Sequence, residues 1–238
     1  MRKSVALGGC AGAAALAAGT VFVCMWFASS SLHRAAADGD AHAVQRLLNT
    51  RHRAQINRPK GLFLGYAGNN LTPLMWAARK GHPDTVSALL TAGAVVDKRD
   101  EFGRTALWLA AQYGTFECID LLLQHGANPN ERSSNGAPIL TVAVRRGNLP
   151  CVSRLLEGGA DPNIVGSAVH DGQTALSEAV DRYDIDMVRC LLRAGADPRE
   201  ATVGKQSLVD YVADSTAPDM EKIQVLMREH EYQHRPRE

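Results

Sequence analysis

Between Leu71 and Ala196 one pattern of apolar and polar positions recurs four times. Its first half reads LTPLMWAARKG (71–81), RTALWLAAQYG (104–114), APILTVAVRRG (137–147) and QTALSEAVDRY (173–183). The central leucines of these stretches, Leu74, Leu107, Leu140 and Leu176, are 33, 33 and 36 residues apart. The second half carries apolar residues at helical spacing, as in Val86, Leu89 and Leu90 or Ile119, Leu122 and Leu123, and closes on a Gly-Ala pair. Those closing glycines, Gly93, Gly126, Gly159 and Gly195, repeat at the same intervals of 33, 33 and 36. Two separate markers with one period define a tandem array.

Each unit predicts two short helices. Thr72, Thr105 and Thr174 are placed to cap the first by accepting hydrogen bonds from its unpaired backbone N–H groups. The Ala-Ala or Ala-Val pair that follows is small enough for a neighbouring helix to approach closely. Gly81 and Gly147 end this helix where the chain needs a positive φ, whereas Tyr183 replaces that glycine in the fourth unit and predicts a less clean ending. Val152, Leu155 and Leu156, then Val188, Leu191 and Leu192, continue the apolar face of the second helix. Gly-Ala-x-Pro then stops that helix, as in Gly126-Ala127-Asn128-Pro129. One such hairpin cannot bury its apolar face alone, so successive units must stack into a shared core.

At these residues the chain resembles the ankyrin repeat, whose signature is T-P-L-H-x-A-A-x-x-G followed by L-L-x-x-G-A-D-x-N. Thr72-Pro73-Leu74 and Gly159-Ala160-Asp161-Pro162-Asn163 are the closest literal matches. The resemblance implies an all-α helical repeat solenoid of four clear units, about 69–99, 102–132, 135–168 and 171–201. A divergent capping unit stands at each end, about 31–58 and 204–230, the last with a stretched loop between its helices, and a charged tail follows at 231–238. The family's histidine after T-P-L survives only as His33, Met75, Trp108, Thr141 and Ser177 standing in the other units. In the family that histidine ties neighbouring turns together, so its loss predicts a weaker array.

Residues 1–30 have a different character. Val5 to Ala28 run for 24 positions without a charge, long enough as a helix to cross a bilayer core. Arg2 and Lys3 precede the run and Trp26 lies near its far end. An uncleaved anchor fits this length better than a cleaved signal peptide, whose apolar region is shorter. Ala28-Ser29-Ser30 is nevertheless a usable cleavage site, so the cleaved form stays open. Leu7-Gly8-Gly9-Cys10 leaves too little apolar sequence for a lipoprotein signal. The basic start favours an inside N-terminus and an extracytoplasmic (periplasmic) repeat domain, although Arg34 and Arg46 follow the span closely; a cleaved signal would leave the domain secreted or periplasmic.

Charge adds one local feature. The chain holds 26 Lys plus Arg against 25 Asp plus Glu, a balance that makes nucleic acid an unexpected partner. Between Asp40 and Asp84, however, there is no carboxylate, while Arg46, Arg51, Arg53, Arg58, Lys60, Arg79 and Lys80 fall there. Part of that stretch, Asn49 to Asn70, is longer than an ordinary connector and carries the apolar Leu62-Phe63-Leu64. It could lie against anionic lipid headgroups or pack Phe63 and Tyr66 back onto the first unit.

No constellation for chemistry stands out. Gly204-Lys205 lacks the rest of a phosphate-binding loop. His230 and His234 sit four apart on a charged helix and read as solvated. Asp181, Asp184 and Asp186 lack the glycine and final glutamate of a calcium loop. No cysteine pair has C-x-x-C spacing; Cys118 and Cys151 occupy one position in adjacent units, too far apart for a disulfide at helix-packing distance, and read as half-buried core.

The resemblance also implies where a partner docks. In the family, the two residues before the glycine that ends the first helix face a concave groove beside the long turn tips. Here these are Arg79 and Lys80, Gln112 and Tyr113, Arg145 and Arg146, then Asp181 and Arg182. The tips contribute Glu101, Phe102 and Arg104, Ser134 and Asn135, then His170, Asp171 and Gln173. This strip, mostly basic and interrupted by Phe102 and Tyr113, predicts a protein partner with an acidic patch. The expected function is therefore a non-enzymatic protein-binding scaffold with no cofactor, metal or small-molecule substrate. Binding of anionic lipid or nucleic acid through segment 46–80 is the alternative, and an unrecognised enzyme a further one.

Overall fold

The computed structural model describes residues 31–59, 70–113, 115–166, 173–203 and 206–233. The expected apolar N-terminal helix, the stretch from Lys60 through Tyr66, Gly114, His170, Asp171, Gly204-Lys205 and His234 lie outside them. Among the described residues no helix is long and apolar enough to cross a membrane.

Helices follow in pairs: α1 (31–38) with α2 (Ala41–Leu48), α3 (Pro73–Lys80) with α4 (Pro83–Thr91), and α5 (Ala106–Tyr113) with α6 (Phe116–Gln124). Next come α7 (Ile139–Arg145) with α8 (Leu149–Glu157), α9 (Ala175–Asp181) with α10 (Ile185–Arg193), and α11 (Leu208–Asp214) with α12 (Pro218–Gln233). A 3-10 turn, Arg51–Gln55, follows α2, and two-residue strands β1 (Thr202–Val203) and β2 (Gln206–Ser207) pair antiparallel before α11. First helices stack on first helices, α3 on α5, α7 and α9 in turn. Second helices form the other layer, from α2 through α4, α6, α8 and α10 to α12.

The core lies between these layers. Ala77 and Ala78, Ala110 and Ala111, Ala143 and Val144, and Ala179 and Val180 are buried to 1% exposure or less, so the small pair in each unit lets adjacent first helices meet. Leu89, Leu122, Leu155 and Leu191 are each 0% exposed, as stacking requires. Burying such a side chain is worth about 1.5–3 kcal/mol. Cys118 and Cys151 are buried free thiols among them, and burial pushes both pKa values up to about 11.

Caps start the helices where the sequence places them. Thr72, Thr105 and Thr174 accept from the backbone N–H of Met75, Trp108 and Ser177, each at 3.2 Å. Asp40, Asn148 and Asp184 cap the second helices α2, α8 and α10 in the same way.

In place of the missing histidines, Trp108 Nε1 donates to the Ala137 carbonyl of the next unit at 3.3 Å, while Met75 Sδ in the first clear unit and Ser177 Oγ in the fourth accept from the backbone N–H of their own caps. Two expectations are corrected. Tyr183 ends its helix cleanly, because it adopts the left-handed conformation (φ 55°) that Gly81 adopts (φ 75°) in the first clear unit. Its N–H donates to Val180 O at 2.9 Å and that of Asp184 to Ala179 O at 3.1 Å. The final unit has no stretched loop: three residues separate α11 from α12, as three separate α7 from α8. What is extended is its second helix, 16 residues against nine in α10.

The long turns between units form their own ladder. Asn57 Oδ1 accepts from Val95 N at 2.8 Å, Asn130 Oδ1 from Asp161 N at 2.8 Å, and Asn163 Oδ1 from Asp197 N at 2.8 Å. Asn130 and Asn163 also donate through Nδ2 to the carbonyls of Gly159 and Gly195, joining each turn to the end of the following second helix. Asp97 holds the same place one unit earlier and accepts from Asn128 N at 3.2 Å. A carboxylate has no N–H for the second bond.

Candidate functional site

The flank of interest is the row of C-terminal ends of α3, α5, α7 and α9 together with the tips of the long turns. Stacking places Lys80, Tyr113, Arg146 and Arg182 at equivalent ends of these helices, and all four are exposed. Among the described residues Lys80, Arg146 and Arg182 enter no ion pair. The Arg182 guanidinium reaches back over α7, Nη2 lying 3.5 Å from where a Cβ on Gly147 would be. Arg182 therefore carries its charge back to the end of α7, one unit before its own helix.

The neighbouring row is largely committed to the fold. Arg79 is half-buried, its guanidinium 5.5 Å from the Trp76 ring centroid and 5.3 Å from that of Tyr113. This stack is worth about 0.5–1 kcal/mol where water reaches it and fixes the Tyr113 ring across the unit boundary. Gln112 is half-buried beside it. Arg145 is held by Glu178 of the next unit, Nη2 to Oε2 at 2.8 Å and Nε at 3.1 Å, with the Glu178 side chain only 11% exposed. Asp181 is exposed, and its charge adds to the burial and the Tyr183 neighbour that raise the Tyr211 pKa.

At the second turn tip, the fully buried carboxylate of Asp100 organises the loop. Its Oδ1 accepts from the backbone N–H of Phe102 (2.9 Å) and Arg104 (2.8 Å), and Oδ2 binds the Arg104 guanidinium at 2.7 Å. Arg104 in turn lies under Phe102, 4.8 Å from its ring centroid, and against Trp108 at 5.5 Å. Phe102 is thereby presented to solvent on a rigid base, 48% exposed, with Glu101 exposed next to it. The tip is tied to the next one: Ser134 N donates to Phe102 O at 2.7 Å, and a Cβ on Gly103 would stand 2.8 Å from that nitrogen, which requires glycine there.

The flank is thus less uniformly basic than its sequence, because Arg104 and Arg145 spend their charge on Asp100 and Glu178. Sequence reading missed four residues that shape it: Trp76, Trp108, Asp100 and Glu178. Glu178 did carry a signal, a carboxylate in an otherwise small or apolar helix core, 33 residues after Arg145. The arrangement offers fixed aromatic faces and outward charge. Among the described residues no three His, Cys, Asp or Glu side chains cluster to hold a metal.

The profile of ankyrin repeats, three copies long, matches residues 32–133 and 128–202. No curated protein matches the chain at a significant level. With the helix pairs from α1–α2 to α9–α10, their stacked layers and the bonded turns covered by the matched span, the chain belongs to the ankyrin-repeat family.

Proposed function

We propose that this chain is a non-enzymatic scaffold that binds an acidic protein partner along the ends of its first helices and the adjoining turn tips. The observation that carries this reading is the exposed row Lys80, Tyr113, Arg146 and Arg182, flanked by the stacked pairs Arg79–Tyr113 and Arg104–Phe102. Rigid aromatic and guanidinium groups are the side chains that anchor interfaces, and being held before binding lowers the ordering cost. Residues 1–30 would anchor the domain to a membrane with the repeats outside the cytoplasm, or be cleaved after export. Mass spectrometry of the mature N-terminus decides between these.

A photoreactive residue placed at Tyr113 should cross-link a partner in native membranes, and one at Glu157 on the second-helix layer should not. Arg146→Glu should abolish the Tyr113 adduct while thermal unfolding stays unchanged. Arg146 is the informative cation; reversing Arg145 would also set a carboxylate against Glu178 and confound binding with stability. Cross-linking from both faces, or from neither, counts against the groove. A second reading draws on Arg46, Arg53 and Arg58, all exposed and outside any ion pair among the described residues. Association with anionic vesicles that falls steeply as salt is added would favour it.

A further inference from the structure

Phe102 departs from the pattern of the other turn tips. Three residues before the cap positions Thr72, Thr105, Pro138 and Thr174 the chain carries Asn69, Phe102, Asn135 and Asp171. Polar residues suit a solvated turn because their side chains bond the turn's own backbone. The one phenyl ring among them is 48% exposed, so about half of its apolar surface stays in water.

The turn beneath that ring is held from every side. Both backbone groups of Phe102 are bonded, its N–H to Asp100 Oδ1 at 2.9 Å and its carbonyl to Ser134 N at 2.7 Å. Burying a carboxylate is unfavourable unless it is paired, and the pairing of Asp100 with Arg104 sets a guanidinium 4.8 Å from the ring centroid. A side chain fixed in this way loses little freedom when a partner covers it.

The charges around the ring define what can cover it. Arg104 is matched by Asp100, and Arg99, just before the tip, by Glu131. On the next turn Arg132 is directed at the Val165 carbonyl at 3.0 Å, while Glu101 stands exposed beside the ring. A carboxylate brought to Phe102 would therefore meet a like charge and no unmatched cation of the same turn. Lys80 and Arg146, outside any ion pair among the described residues, lie at the far ends of the first helices. The eight residues of α5 put roughly 12 Å between its two ends.

We infer, on the groove reading above, that Phe102 is the apolar anchor of the interface. The partner covers it with an aliphatic or aromatic side chain, and the partner's acidic patch is confined to the helix-end side of the flank.

The photo-adduct formed from Tyr113 by the full-length chain in native membranes reads this out. Phe102→Ala should lower its yield at least about ten-fold, as truncation of an interface anchor does, with circular dichroism reporting retained helix. Phe102→Leu should keep most of the yield, since leucine restores apolar area; a loss as deep as with alanine overturns the inference. Glu101→Lys should leave the yield within about two-fold, the small effect of a charge at the edge of a contact. A rise of about ten-fold would place the acidic patch on the tip itself and overturn the inference. A Phe102→Ala adduct as strong as that of the parent removes the anchor and leaves the groove standing. If the parent forms no adduct, the groove reading falls and the anchor falls with it.

Discussion

Asp97 is the residue at which this array departs most clearly from its own pattern. Asn130 and Asn163 each accept from the next turn and donate back to a helix-ending carbonyl, whereas Asp97 only accepts. Burial raises its pKa above the ordinary 3.8, and Glu131 adds to this, against the Asn128 N–H and Arg99, which lower it. Because the folded-state pKa lies above the unfolded one, the fold favours the protonated carboxyl. The stability this group contributes is complete below the unfolded value of 3.8 and declines as pH rises through the folded one. Asp97→Asn should therefore stabilise the protein at neutral pH by about 1 kcal/mol, the net worth of one added hydrogen bond. The gain should shrink as pH falls toward 4. Chemical denaturation of both proteins between pH 4 and 8 measures it, and an Asn variant no more stable than its parent at pH 7 contradicts the argument. The position was legible in the repeat register; the cost of filling it with a carboxylate appeared only with the neighbouring turn in place.

At the scale of elements, the second helices show why the apolar pattern had to be what it is. Leu122 is 0% exposed in α6, which packs between α4 and α8, so truncation leaves a void that neither neighbour can close without losing its own contacts. Leu122→Ala should cost about 2–5 kcal/mol in urea unfolding. Leu123, half-buried on the adjacent flank, should cost clearly less when truncated. A reversed order would mean that α6 faces the stack through its other side. The element boundaries were readable from Thr72, Thr105 and Thr174 and from the closing glycines. The ending at Tyr183 was not, because residue type alone disfavours positive φ there. Hydrogen bonds from Tyr183 and Asp184 to the preceding helix turn hold it.

For the stack as a whole, stability is a sum of units and their interfaces, and among the described residues the unit of α11 and α12 packs on one neighbour. α12 meets that condition with length. Met220 and Ile223 are 0% and Met227 5% exposed as it packs on α10, while Val225 on its outer face is 48% exposed. Ile223→Asp should raise hydrogen exchange across 206–233 first, with protection of α5 through α8 kept. Uniform loss of protection along the array would show instead that the stack unfolds as one unit.

By itself the sequence determined the repeat, the helix pairs and the buried leucines, because these depend on periodicity and local capping, which a linear chain displays in full. Tertiary structure alone decided which cations are paired between turns and units. Arg104 on Asp100 and Arg145 on Glu178 are pairings that form only when turns close and units stack, since the strength of a charge depends on what lies within a few ångströms of it. The row Lys80, Tyr113, Arg146 and Arg182 was legible in the repeat register, 33 to 36 positions apart, but which of the strip's residues stay exposed and outside ion pairs was not.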